Sequence, residues 1–267
     1  MKYLLNGLMV TLSALLVFSC TKVVDYDLAP IKERVVIEAR IIKDSFALVR
    51  VTKTAPYLPN ASTPVIKDAF IVISNKIGEK DTLLYKGNGY YKGDNIIGVV
   101  DDIYGLVVKA EGKSYTAYTT LPDAVPFQIT GKNYSDGKST FKAKGYYPTI
   151  KSTLPPDAYF LFNYYKNDSL YRKQKSDVNV TDSKFIGTVI DGLETPYPYQ
   201  VNDVAKINIY RITKEAYTFY NDLGAQLTND GGFFSTPPAN TSTNFTNGAI
   251  GVFLGGALYT QSVIITP

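Results

Sequence analysis

From Arg34 onward, apolar and polar residues alternate along much of the chain with a period of two. This spacing turns one face of a β-strand towards a core and the other towards solvent. The runs Arg34–Ile42 (RVVIEARII) and Phe46–Lys53 (FALVRVTK) are rich in β-branched residues, and the short turn Lys-Asp-Ser separates them. A proline-rich loop, Thr54–Pro64, follows. Ala69–Ser74, Asp81–Lys86, Tyr104–Ala110 and Ser114–Thr120 then continue the strand pattern, with Glu-Gly-Lys as a turn before the last of them. Short strands at this spacing predict an immunoglobulin-like or transthyretin-like β-sandwich over residues 34–122.

Leu121–Pro126 (LPDAVP) breaks the pattern with two prolines, and a domain boundary is placed near Pro122. Strand signals resume in PFQITGK, in STFKAKGYY and in the aromatic run Ala158–Lys173, which has a turn around Asn167 and Asp168. They continue in Phe185–Ile190 and Val204–Ile212. One segment departs from period two. Thr213–Leu227 begins with a threonine N-cap candidate and places Ala216, Phe219, Tyr220 and Leu223 on one stripe of an amphipathic helix, with Gly224 weakening its last turn. That stripe reads as core-facing. A long Gly, Pro, Asn and Thr loop follows, and Ala249–Thr266 returns to strand, with Gly255–Gly256 expected to mark a turn or bulge. The expected fold is all-β with one short helix: the first sandwich, then a second β-sandwich or partly open β-barrel over residues 123–267.

The first residues follow a different rule. Lys2 precedes the apolar run Leu8–Phe18, which is shorter than the roughly 20 residues a helix needs to cross a bilayer. A basic start, a short apolar centre and small Ser19 before Cys20 make residues 1–19 a secretory signal peptide. Val-Phe-Ser-Cys resembles the lipobox of bacterial lipoproteins, in which the cysteine is acylated and becomes the new N-terminus. Cys20 is the single cysteine of the chain, so no intramolecular disulfide can form. Two or three acyl chains hold a protein firmly where one would not, at about 0.8 kcal/mol per buried methylene. Residues 20–33 then act as the lipidated end and tether. The expected location is the outer membrane, with its surface and periplasmic faces both open.

Composition narrows the chemistry. The chain has no histidine, which removes Ser-His-Asp and Cys-His catalysis and every histidine-ligated metal site. A formal charge of +4 on 267 residues, without a dense Lys/Arg cluster, gives no ground for nucleic-acid binding. No cofactor or metal is expected. The adjacent Asp101 and Asp102 read as a solvated turn, and Asp94–Asp102 lacks the ligand spacing of an EF-hand. With 22 Tyr and 13 Phe, aromatic rings either pave sheet surfaces or form a ligand face with polar tips. The most motif-like loop carries Phe233, Phe234, Asn240, Asn244 and Phe245, a candidate ligand or interaction edge. The competing reading is that its polar side chains fix their own backbone. Asp81-Thr82-Leu83 and Asp168-Ser169-Leu170 resemble the Asp-Ser/Thr-apolar sites of Bacteroidetes O-glycosylation, which makes Thr82 and Ser169 candidate acceptors.

Taken in order, several segments resemble a known family: the lipid-attachment cysteine, VVIEARI, VRVTKTAPYL, VIKDAFIVIS, GKSYTAYTTLPDAVP, PPDAYFLFNYYKND, EAYTFYNDLGAQL and FFSTPPANTSTNFTNGAIGVFLG. They are similar to the Bacteroidetes lipoproteins catalogued as domain of unknown function 4249. The resemblance implies an exported lipoprotein, often encoded beside a TonB-dependent outer-membrane transporter, and it supplies no reaction or catalytic residue. The N-terminal half also resembles the carboxypeptidase-regulatory-like sandwich, a likeness of fold that carries no activity. The expectation is a non-enzymatic accessory binding or interaction subunit of a TonB-dependent uptake system. The alternatives are a carboxylate-dependent glycan hydrolase and a purely structural envelope lipoprotein.

Overall fold

In the computed structural model, residues 33–55, 63–174, 177–229 and 240–267 are described. The signal segment, Cys20, the tether, Phe233 and Phe234 lie outside them. The first two strands are β1 (Val35–Ile42) and β2 (Phe46–Lys53). On β1, Val35, Ile37, Ala39 and Ile41 are buried in a core, while Glu38 and Arg40 between them face the other way. Alternation on β2 sends Ala47, Val49 and Val51 to the same core.

The chain continues through β3 (Phe70–Ser74), β4 (Lys80–Thr82), β5 (Leu84–Gly87), β6 (Tyr90–Ile97), β7 (Ile103–Ala110) and β8 (Lys113–Thr120). Beyond the prolines come β9 (Phe127–Ser135), β10 (Gly145–Thr153), β11 (Tyr159–Lys166), β12 (Ser169–Leu170), β13 (Asn179–Asp182) and β14 (Val189–Glu194). β15 (Val204–Ile212), a helix (Lys214–Leu227) and β16 (Ile250–Ile264) complete it. Among the described residues these strands form three sheets. A nine-stranded sheet runs β12-β11-β15-β16-β1-β2-β6-β5, with β13 also paired to β11. The smaller sheets are β4-β3-β7-β8 and β14-β10-β9. The fold is all-β, and no described helix is long and apolar enough to cross a membrane.

Both smaller sheets pack on the same face of the large one, and period two shows why. Odd-numbered residues of β1 and β2 join β3, β7 and β8 in a first core, which also takes Phe253 and Ala257 of β16. Phe160, Phe162 and Tyr164 of β11 join Ile207 and Ile209 of β15 in a second core, under Phe127 and Ile150 of the three-stranded sheet. Tyr259, further along the same face of β16, packs against that second core and meets Phe127 with ring centroids 5.6 Å apart. The cores part between Leu121 and Val125, beside Pro122. Segments 34–122 and 123–267 nevertheless share one sheet, because β16 pairs in parallel with β1 and antiparallel with β15. Residues Glu33–Pro267 form one compact unit.

Three local expectations change. The run Asp81–Lys86 is two strands, because the chain crosses from the four-stranded to the nine-stranded sheet at buried Leu83. Phe185–Ile190 is not a continuous strand. The Asp182 side chain caps a helical turn at Ser183–Ile186, Gly187 at φ 85° ends it, and β14 starts at Val189. Gly255–Gly256 makes no turn, since β16 runs through both. Gly255 is glycine because a Cβ there would lie 2.0 Å from the Thr120 carbonyl oxygen, where the end of β8 crosses the strand. Gly251, at φ +123°, has the same relation to the Ile37 carbonyl oxygen, also at 2.0 Å.

Candidate functional site

The opposite face of the nine-stranded sheet is covered differently. Thr213 caps the helix by accepting a hydrogen bond from Ala216 N–H, as its place before the apolar stripe suggests. Ala216 and Phe219 then pack on Ile212 of β15 and on Val252 and Leu254 of β16. Tyr220 and Leu223 extend the contact, half-buried. One helix of this length cannot cover a sheet this wide. Beside it lies a cleft of about 420 Å³, floored by β1, β2, β11, β15 and β16 and walled by the helix.

The outward positions of these strands give the cleft its charge. Glu38 and Arg40 of β1, Arg50 of β2 and Arg172 just after β12 all line it. Cross-strand pairing sets Arg50 opposite Glu38, and an Arg50 Nη1 to Glu38 Oε2 contact of 3.5 Å joins them. The Arg50 guanidinium also sits over the Tyr90 ring, 5.3 Å from its centroid. Its Nε–H is buried and has no hydrogen-bond partner among the described residues. Arg40 and Arg172 make no hydrogen bond or ion pair among the described residues. Burial pushes the pKa of the Tyr220 hydroxyl up and Glu38 adds to this, while Arg40 and Arg172 pull it down. One hydroxyl therefore feels all three charged groups. The cleft joins apolar side chains of the helix and of β16, Phe219, Leu223, Val252 and Leu254, to three arginines and one paired carboxylate, with Val252 and Leu254 beside Glu38 and Arg40 in the β1–β16 pairing.

The described part of the loop singled out in the sequence, from Asn240 on, is occupied with holding the fold. The Asn244 amide donates to the Tyr118 and Phe253 carbonyl oxygens and accepts from Phe253 N–H. Phe245, 6% exposed, is part of the first core. Asn240 accepts from Arg34 at 3.3 Å. Asn240, Asn244 and Phe245 therefore do not meet at an open ligand edge. Thr82 is exposed on β4 and Ser169 on β12, so both hydroxyls face solvent. Asp101, at φ 62°, sits in a turn, and Asp102 accepts from Lys76 and Ile103 N–H. Several tyrosines are core residues instead of surface paving. Tyr164, Tyr197 and Tyr199 are buried, and Tyr171 packs its ring on both Tyr197 and Tyr199.

Sequence reasoning missed the cleft. The available signal was the pair of polar positions inside β1, with Arg50 opposite Glu38. Taken alone, these look like an ordinary solvated strand face. Only the β1–β16 pairing and the docked helix turn that face into a concave site.

These features define an all-β protein with two cores under one sheet and a helix-flanked cleft on its other face. The family model described as Domain of unknown function (DUF4249) matches residues 21–262, and the chain belongs to that family. Among solved structures, it is similar to a two fibronectin type-III domain segment from chicken tenascin. The two are 11% identical over 88% of this chain and 100% of that one, with a TM-score of 0.24. No curated protein matches the chain.

Proposed function

We propose that the protein is a non-enzymatic binding lipoprotein of the outer membrane, acting as an accessory subunit of a TonB-dependent uptake system. The observation that carries the binding reading is the helix-flanked cleft, whose volume falls in the range of small-molecule sites, roughly 300–1,000 Å³. Its polar groups suit recognition better than hydrolysis. A glycosidase places two carboxylates across its cleft, whereas the lining here holds Glu38 alone, paired with Arg50. The anchor rests on the sequence: the signal-like start, Ser19 before the lone Cys20, and the likeness to Bacteroidetes lipoproteins. The link to a transporter rests on that likeness too.

Purification of the acylated protein from native outer membranes in mild detergent tests this reading. A TonB-dependent transporter recovered in near-equal amount is the expected result. Recovery of the protein alone, under conditions that keep transporter complexes intact, would contradict the accessory role. Mass analysis of the N-terminal peptide tests the anchor separately: acyl chains on Cys20 are expected, and an unmodified thiol would remove it.

A further inference from the structure

We propose that the cleft takes an amphipathic anion, with a carboxylate, phosphate or sulfonate head held by Arg40 and Arg172 and an apolar body lying along the helix. This inference rests on the reading of the cleft as a ligand site. Three observations lead to it independently. First, the charges in the lining do not balance: Glu38 meets Arg50, and neither Arg40 nor Arg172 makes a hydrogen bond or ion pair among the described residues, although Arg172 is near enough to Asp177 to help lower its pKa. Guanidinium presents a planar fork of donors that matches carboxylate and phosphate oxygens.

Second, the buried Arg50 Nε–H lacks an acceptor among the described residues. Buried donors are nearly always satisfied, and an unpaired one is unfavourable until an acceptor reaches it. An anionic oxygen in the cleft supplies one when the Arg50 side chain, which lines it, turns its Nε–H towards the opening. Third, apolar side chains that are half-buried or exposed, Leu48, Leu161, Leu223 and Leu227, line the cleft beside the charges. A free inorganic anion would leave these side chains wet, while a ligand with an apolar body covers them. Tyr90, Tyr210 and Tyr220 line the cleft as well, and such side chains offer an apolar ring with a polar tip.

Two fluorescent probes with the same aromatic body separate head from body: 1-anilinonaphthalene-8-sulfonate and the uncharged N-phenyl-1-naphthylamine. The chain from residue 20 with Cys20→Ala carries no acyl group and needs no detergent. The sulfonate probe is expected to saturate at one site and to bind about tenfold or more tighter than the uncharged probe. Arg40→Gln and Arg172→Gln should each weaken it by about tenfold and leave the uncharged probe unchanged. Added salt should weaken the sulfonate probe alone. Both side chains are exposed and make no hydrogen bond or ion pair among the described residues, so an unchanged melting temperature in the same samples shows that the variants are folded. Equal affinity for both probes, insensitive to either substitution, would overturn the anion assignment and leave the binding reading standing. No saturable binding of either probe by the folded chain would overturn both.

Discussion

The two faces of the nine-stranded sheet use the same strands for opposite ends. On the core face, two smaller sheets seal the odd-numbered residues of β1, β2, β15 and β16 and the even-numbered residues of β11. On the other face, one helix covers Val252 and Leu254 and leaves Glu38, Arg40 and Arg50 beside an open cleft. Successive strand residues point to opposite faces, so each strand contributes to both environments. Stability is concentrated where apolar area is fully buried, and recognition is available where burial stops short.

Changes on the core face should have the largest effects. Gly255→Ala puts a Cβ 2.0 Å from a carbonyl oxygen of β8, with backbone fixed on both sides. A loss of about 4 kcal/mol or more, or failure to fold, is expected in urea unfolding. Wild-type stability would show that β8 does not cross β16 this closely. Phe253→Ala empties a fully buried position of the first core and should cost about 3–5 kcal/mol. Because β16 serves both cores, that loss should appear in one cooperative transition followed by tyrosine fluorescence and by circular dichroism. Two separated transitions would mean that the halves unfold independently.

Asp81 tests the seam between the four-stranded sheet and the large one. Its carboxylate, 2% exposed, accepts from the backbone N–H groups of Asp94, Asn95 and Ile96 on β6. Burial pushes its pKa up, but these bonds and the Asn95 amide outweigh it and hold the carboxyl below its ordinary value. A lowered folded-state pKa contributes stability above the unfolded pKa, near 3.8. That contribution is lost as pH falls through the folded value. Asp81→Ala should cost about 3 kcal/mol at neutral pH by stranding these donors, and it should flatten the acid limb of the urea midpoint. An acid limb of unchanged steepness would contradict this role. At the small end, Arg40→Gln should change stability by no more than about 0.5 kcal/mol, because the side chain is exposed and makes no hydrogen bond or ion pair among the described residues. A larger loss in urea would place Arg40 among the groups that hold the fold.

Local patterning made much of this fold legible. Phe46–Lys53 and Val204–Ile212 are strands with the boundaries their alternation suggests, and the helix starts at its threonine cap. The turn at Asn167 and Asp168 falls where the aromatic run was expected to reverse, with both residues at positive φ. Long-range pairing was not legible. No local signal links Val36 to Ile250, and without that pair the shared sheet cannot be read. β6 was missed because its segment, Tyr-Tyr-Lys-Gly-Asp-Asn, is too polar to show a strand period, and Asp81 from another sheet holds it. Gly255–Gly256 looked like a break because the backbone that forces glycine there comes from β8. The cleft failed for the same reason: its arginines sit on separate strands and become neighbours only through sheet order.

Hydrogen exchange of the folded chain, with and without the sulfonate probe, tests the contrast between the two faces most directly. Amides of Lys214–Leu227 are expected to exchange through local opening, well before those of β15 and β16, and the probe is expected to slow the helix. Helix amides protected to the same degree as β16, with no response to the probe, would contradict it.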